Sequence, residues 1–204
     1  MSPAGPLEAI VPFPVPRNQV AKARAYRSTW ILSSLGALKQ AGHYDRYVKL
    51  LPQRHHEDVF SLVAGVWVPL DLARIHYEAC ERLELPVSEQ LALGRAVGDR
   101  AQGTMLSTGV RLAKSAGVTP WTVLPQYPRL WQRGVDGGAL AVYKLGPKEA
   151  RIDIVGCELF SIGYFRTALR GVMHGMAALF CRTSFIHDVP TAASDDATYR
   201  FQWA

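Results

Sequence analysis

The feature that most constrains this chain is a change of period at Asp136-Gly137-Gly138. Upstream of that turn signal, apolar residues recur every three to four positions. Downstream they give two strands, Ala139 to Leu145 and Ala150 to Val155. Spacing near 3.6 buries one stripe of a helix, whereas spacing of 2 buries one face of a strand. Joined through Gly146-Pro147, the two strands read as a hairpin. Helical spacing returns from Tyr164 to Arg182 through Phe165, Leu169, Val172, Met176, Leu179 and Phe180. Two further strands follow, Phe185 to Val189 and Thr198 to Trp203, with Asp195 and Asp196 in the loop between them. In the last strand Tyr199, Phe201 and Trp203 share one face, and Thr198, Arg200 and Gln202 take the other. Residues 139 to 203 are therefore predicted to form a strand, strand, helix, strand, strand unit with one face buried against helices.

The upstream part supplies those helices. Trp30, Ile31, Leu35 and Leu38 predict a helix over Gln19 to Gln40, stopped at Gly42. Shorter amphipathic pieces are predicted over His43 to Leu51, halted by Pro52, and over Glu57 to Ala64. Pro69 suits a first helical turn and Asp71 suits its positive end, opening a helix to Leu85 whose stripe is Leu72, Ile75, His76, Ala79 and Leu83. Ser88 caps a further helix extending to Ser115, closed by Gly117. Its interior glycines, Gly94, Gly98, Gly103 and Gly109, each cost about 1 kcal/mol relative to alanine, so close packing should compensate. Thr119-Pro120 opens a segment kept short or kinked by Pro125 and Pro128.

These elements define an α+β class: an N-terminal helical layer packed on a C-terminal antiparallel sheet of about four strands with one inserted helix. The 204 residues, 49% hydrophobic and 20% charged, suit one well-filled core over 19 to 204. Residues 1 to 18 form a tail in which five prolines block regular pairing and favour extended chain, although Ile10, Val11, Phe13 and Val15 make it apolar enough to lie on a surface. No run reaches the roughly 18 apolar residues that span a bilayer, and no signal-peptide pattern opens the chain, so the reading is cytoplasmic without membrane insertion. Cys80, Cys157 and Cys181 are too widely spaced for a disulfide framework or a paired-cysteine metal site and read as reduced thiols. A net charge of +6 raises nucleic acid as a partner. Only Arg17, Lys22, Arg24 and Arg27 cluster, however, and the other basic residues are interleaved with acids, which points away from it.

The stretches YFRTALRGVMHGMAALFC (164 to 181) and ATYRFQW (197 to 203), with the element order around them, resemble a superfamily of ligand-binding domains in nitric-oxide signalling and Golgi transport. That superfamily includes haem nitric-oxide/oxygen-binding domains, 4-vinyl-reductase-type domains and small subunits of the transport-protein-particle tether. WVPLDLARIHYEAC (67 to 80) and ELPVSEQLALGRAVGDR (84 to 100) are similar to a paralogous family of unknown function in myxobacteria beside the same superfamily. The resemblance implies a pocket between helices and sheet that holds haem, a small aromatic or lipid-like molecule, or an acyl chain in different relatives. Haem-binding relatives ligate iron through a histidine on the helix before the first hairpin. Here that stretch is QYPRLWQRG (126 to 134), which has none, so no haem is expected. None of the three cysteines matches the acyl-carrying position of the tether subunits.

Other chemistry is sparse. His76 and Cys80, at i and i+4, share a helical face as two metal ligands would, but nothing supplies the further ligands of a closed zinc site. A buried histidine beside a buried thiol is the stronger reading. His55-His56 reads as a solvated turn and His174 as an exposed or interfacial residue. No GxSxG elbow, HExxH or phosphate-cradling loop occurs, and the glycines of 94 to 103 lie inside a helix. No catalytic residue is therefore nominated. The expected pocket lining is Trp67, His76, Cys80, Met105, Trp121, Tyr127, Trp131, Phe165, Met176 and Phe180. The function these residues predict is a non-enzymatic sensory module for an apolar small molecule, acting as a homodimer. The alternatives are an adaptor that binds a protein through the same face and an enzyme acting on an apolar substrate.

Overall fold

The computed structural model describes the backbone of residues 8 to 105 and 119 to 204, and their side chains except those of 101 to 105. Strand β1 (Glu8–Val11) lies within the proline-rich segment. Its prolines at 12, 14 and 16 follow the strand rather than interrupt it, which leaves its amides free to pair. Next comes β2 (Ala25–Arg27), and helix α1 starts only at Ser28 (Ser28–Gln40). The single helix expected from Gln19 is therefore corrected. Ala25 pairs with both Pro69 and Asp136, and Tyr26 with both Val68 and Val135, so strand pairing on two sides overrides the helical spacing.

Helices α2 (Tyr44–Leu50) and α3 (His56–Phe60) follow. The latter falls short of the expected Ala64 because the loop after it is pinned to the start of α1. Ser28 Oγ donates to the Val63 carbonyl at 2.6 Å and accepts from the Val66 amide at 3.1 Å. Strand β3 (Trp67–Pro69) leads into α4 (Leu70–Glu81), which stops before Leu85 as the chain turns through Glu84 in a left-handed conformation, φ 50°. Its buried stripe is Leu70, Ala73, His76, Tyr77, Ala79 and Cys80, with Leu72 and Ile75 only half-buried. Helix α5 (Val87–Met105) comes next, and its predicted continuation to Ser115 lies outside the described residues.

Pro125 splits the following segment as expected, into α6 (Pro120–Val123), a 3-10 turn at Leu124–Gln126 and α7 (Tyr127–Gly134). Strand β4 (Val135–Asp136) then turns through Gly137 and Gly138, φ 94° and 62°, into the hairpin of β5 (Ala139–Gly146) and β6 (Glu149–Val155). A side chain at Gly137 would also strike the Lys22 carbonyl. Helix α8 (Gly163–Ala177), β7 (Ser184–Val189) and β8 (Ala197–Trp203) complete the fold.

The sheet expected to have about four strands has five, in the antiparallel order β1-β5-β6-β8-β7, because β1 pairs with β5. A second sheet, β3-β2-β4, has three. Val142, Ile152, Ile154, Tyr199 and Phe201 are buried on the large sheet and belong to one core with Ile31, Leu38, Leu83 and Leu124. Thr198, on the other face, is buried as well, and its hydroxyl donates to Asp153 at 2.9 Å.

Glycines explain the contact of α5 with α8. A side chain at Gly94 would collide with the Ala168 carbonyl, and one at Gly171 with the Leu91 carbonyl. Added Cβ atoms at Gly98 and Gly175 would lie 2.7 Å and 3.0 Å from the carbonyls of Val172 and Arg95. The two helices thus meet backbone to backbone within one chain, which is the compensation that Gly94 and Gly98 required; the same expectation for Gly103 and Gly109 lies outside the described side chains and residues.

The basic cluster also finds partners. Arg17 pairs with Asp196 at 2.7 Å, Lys22 with Asp195, and Arg24 with Asp136 at 2.7 Å. The fourth member, Arg27, stacks 3.8 Å from the centre of the Trp67 ring. Backbone bonds run alongside, from Ala23 to Gly156 at 2.7 Å and from Gly138 to Ala21 at 2.8 Å, so the segment before β2 is strapped across the turns of the sheet. Among the described residues no helix is long and apolar enough to cross a membrane.

Candidate functional site

Between α1, α5, α7, α8 and the large sheet lies a cavity of about 110 Å³. Helix α8 contributes Tyr164, Ala168, Val172 and Met176, each four residues after the last and so on one helical face, together with Phe165, Leu169 and Met173. Leu93, Gly94 and Val97 of α5, which packs directly on α8, continue this lining, and Tyr127, Leu130 and Trp131 of α7 add to it. The sheet supplies Leu140 and Ile154 as floor. Tyr26, Trp30, Ser34 and Tyr77 close the remaining side, and no charged side chain or histidine lines the space among the described residues.

The polar groups of this wall are held in place. Tyr26 and Tyr77 share a hydrogen bond of 2.9 Å between their hydroxyls. Behind the wall, His76 is fully buried, its Nε2 lying 3.0 Å from Ser34 Oγ and its Nδ1 2.7 Å from the Tyr47 hydroxyl. The Cys80 thiol sits 3.7 Å from His76 Nε2. Burial lowers the His76 ring to about 3, so it is neutral at ordinary pH, with one nitrogen donating and the other accepting. Burial likewise pushes Cys80, Tyr26, Tyr47, Tyr77 and Tyr164 up, which keeps them protonated. Cys157 is pushed up to about 12 by the same cause.

The nominated lining separates into groups. Tyr127, Trp131, Phe165 and Met176 face the cavity. His76 and Cys80 do share a face, but they stand behind Ser34 rather than on the lining. Trp67 is 41% exposed beneath Arg27, away from the cavity. Trp121 packs edge-on against Trp203, 5.0 Å between ring centres, and donates to the Pro147 carbonyl at 2.7 Å. Phe180 is half-buried in the turn after α8 and does not line the cavity, and the side chain of Met105 lies outside the described residues. Tyr26, Trp30, Ser34, Tyr77 and Tyr164 line it without having been nominated. Of these, Trp30 and Ser34 share a face of α1 by their spacing, a signal present in the sequence.

Elsewhere, His55 approaches Asp58 at 3.2 Å and His174 Nδ1 lies 2.9 Å from Ser184 Oγ. Among the described residues no group of three or more His, Cys, Asp or Glu could hold a metal ion.

Set beside solved structures, the fold is similar to haem nitric-oxide/oxygen-binding (H-NOX) domains. A structure from work on haem distortion in the H-NOX family superposes with a TM-score of 0.62 at 12% identity, covering 87% of this chain and 94% of that one. An H-NOX mutant from T. tengcongensis gives 0.55 at 13% identity, covering 87% and 97%. An oxygen-binding H-NOX domain related to soluble guanylate cyclases gives 0.54 at 14%, covering 87% and 94%. The resemblance to H-NOX domains drawn from the sequence therefore holds for the fold. No protein-family model matches the chain, and no curated protein matches its sequence.

Proposed function

We propose that this protein is a non-enzymatic sensory module that binds a small, neutral, apolar molecule in the cavity between α5, α7, α8 and the large sheet. The cavity carries the reading. Its volume of about 110 Å³ is set in an almost wholly hydrocarbon and aromatic lining. Dry apolar cavities of roughly 150 Å³ take up benzene. The fold shared with domains whose descriptions name haem and oxygen binding supports a ligand-binding role.

The same reading leaves haem out, because the donor set does not fit it. Iron in haem proteins is held by histidine, thiolate, histidine with methionine, or tyrosine. The described lining has no histidine or cysteine; its methionines, Met173 and Met176, lack a histidine to act beside, and burial keeps its tyrosines as phenols. Kinship with 4-vinyl-reductase-type domains, tether subunits and the myxobacterial family belongs to the same proposal.

Catalysis is disfavoured by the state of His76. A general base works best with a pKa near the operating pH. Burial holds this ring at about 3, so it orients Ser34 without being able to deprotonate it efficiently.

Native mass spectrometry of the protein purified from its own host tests the reading. A neutral apolar molecule released on denaturation is the expected result, with no Soret absorbance. Empty protein accompanied by one stoichiometric protein partner overturns it. That outcome would favour a second reading, an adaptor, for which the specific observation is the exposed apolar run of Phe60, Val63, Val66 and Trp67 at 38%, 67%, 44% and 41% exposure. Homodimerisation is part of the proposal too. Light scattering at high concentration is expected to give twice the 22.5 kDa chain mass, and a monomer refutes that part.

A further inference from the structure

Hydroxyl protons can be counted in the wall formed by Tyr26 and Tyr77. Each phenol carries one proton and can also accept. Burial pushes both well above the ordinary tyrosine range, so both protons are present. Their mutual bond of 2.9 Å spends one proton. No second hydrogen bond to either hydroxyl exists among the described residues, so whichever tyrosine accepts keeps a proton with no acceptor among them. Both residues are buried, at 5% and 6% exposure, and both line the cavity. A buried donor without a partner is unfavourable, and anything in the cavity that accepts its proton gains the bond.

We infer that the cavity selects small neutral ligands bearing a hydrogen-bond acceptor, such as a carbonyl oxygen on a compact aromatic or cyclic body, through the spare hydroxyl proton of the Tyr26–Tyr77 pair. This rests on the ligand-binding reading above and narrows it. The acceptor has to be neutral: no Lys, Arg or His lines the cavity among the described residues, so a carboxylate would be buried without a counter-charge. The body has to be compact and apolar because the rest of the lining offers rings and hydrocarbon.

The experiment is a calorimetric titration of the full chain with two six-heavy-atom probes of nearly the same shape, cyclopentanone and methylenecyclopentane, in which a C=CH2 group replaces the C=O. Wild type is expected to bind cyclopentanone about tenfold more tightly, the ratio that one neutral hydrogen bond supplies. Tyr26→Phe and Tyr77→Phe, tested singly, each leave one phenol whose proton is now free, so each is expected to keep a preference for the ketone. The double variant Tyr26→Phe/Tyr77→Phe is expected to bind both probes equally. Its fold is expected to survive, since replacing both partners by apolar groups of the same shape strands nothing. Equal binding of the two probes by wild type overturns the inference while leaving the ligand-binding reading standing. A ketone preference that persists in the double variant overturns it too, because the selectivity then resides elsewhere. Failure of wild type to bind either probe counts against the ligand-binding reading and removes this inference with it.

Discussion

The cavity has two walls held by opposite means. On one, α5 and α8 are pressed together through Gly94, Gly98, Gly171 and Gly175, with carbonyl oxygens where side chains would be. On the other, Tyr26, Tyr77 and Ser34 are held by hydrogen bonds, Ser34 being backed by His76 and Tyr47. The first wall is a constraint of shape that tolerates little added volume, least of all at Gly94 and Gly171. The second is a constraint of pairing, in which shape can change if donors and acceptors still match. On the proposed reading, a ligand would meet one rigid side and one side that can exchange hydrogen-bond partners.

The difference can be broken most severely on the glycine wall. Gly94→Leu drives a branched side chain into the Ala168 backbone, which cannot retreat without separating the helices. A loss of about 3 kcal/mol or more is expected, measured by urea denaturation. A variant that melts like wild type would show that α5 and α8 can part freely.

The polar wall should respond to pH instead. Burial holds His76 at about 3, against an ordinary value of 6.5, so an unfolded chain takes up this proton first as pH falls. The stability contributed by keeping the ring neutral is complete above about pH 6.5 and is lost as pH falls toward 3, at up to about 1.4 kcal/mol per unit. His76→Gln does not titrate yet keeps an amide to bond Ser34 or Tyr47. Between pH 6.5 and 5.0 the wild type should therefore lose about 1.5 kcal/mol more than this variant. Parallel losses would mean that the ring protonates while buried.

A smaller effect tests whether the tyrosines act as a pair. Tyr26→Phe and Tyr77→Phe are each expected to cost about 1 kcal/mol, and the double variant no more than either alone, giving a coupling of about 1 kcal/mol in a double-mutant cycle. Additive losses would deny the pairing. The mildest change sharpens the other wall. At Gly175 an added Cβ would lie 3.0 Å from the Arg95 carbonyl. The gain of about 1 kcal/mol in helix propensity offsets part of that crowding, so Gly175→Ala should stay within about 1 kcal/mol of wild type. A loss as large as that of Gly94→Leu would mean that the helix contact is equally tight along its length.

What the sequence revealed divides along the same line. The hairpin, the last two strands and most of α8, which ends at Ala177 rather than at Arg182, are legible because their spacing is local and their turns carry glycine and proline. The interior glycines of α5 announced a close approach, but not that the partner would be α8, since the Gly94 to Ala168 contact joins residues far apart in the chain. Strand β2 could not be read: three residues between partners at 67 to 69 and 135 to 136 owe their conformation to pairing alone. In the site, Phe165 and Met176 were found through helical spacing, and Tyr127 and Trp131 as bulky aromatics. The hydroxyl side was missed. Its members sit one or two to an element, on β2, α1 and α4, and each alone is an ordinary buried residue. His76 and Cys80 were rightly assigned one face, but periodicity does not say whether such a face looks into a hollow or into another helix.

The strap before β2 bears on how the protein is made. The Arg17–Asp196 pair joins positions 179 residues apart, and β1 joins the same sheet as β8. During synthesis the helices can collect before the sheet has its full set of strands, leaving apolar surface that waits for residues 197 to 203 to leave the ribosome. Closing so long a loop is slow, and an uncovered edge in the interval invites pairing with the wrong chain. Expression at low temperature or with a chaperone should therefore improve yield more than it would for a helical bundle of the same length.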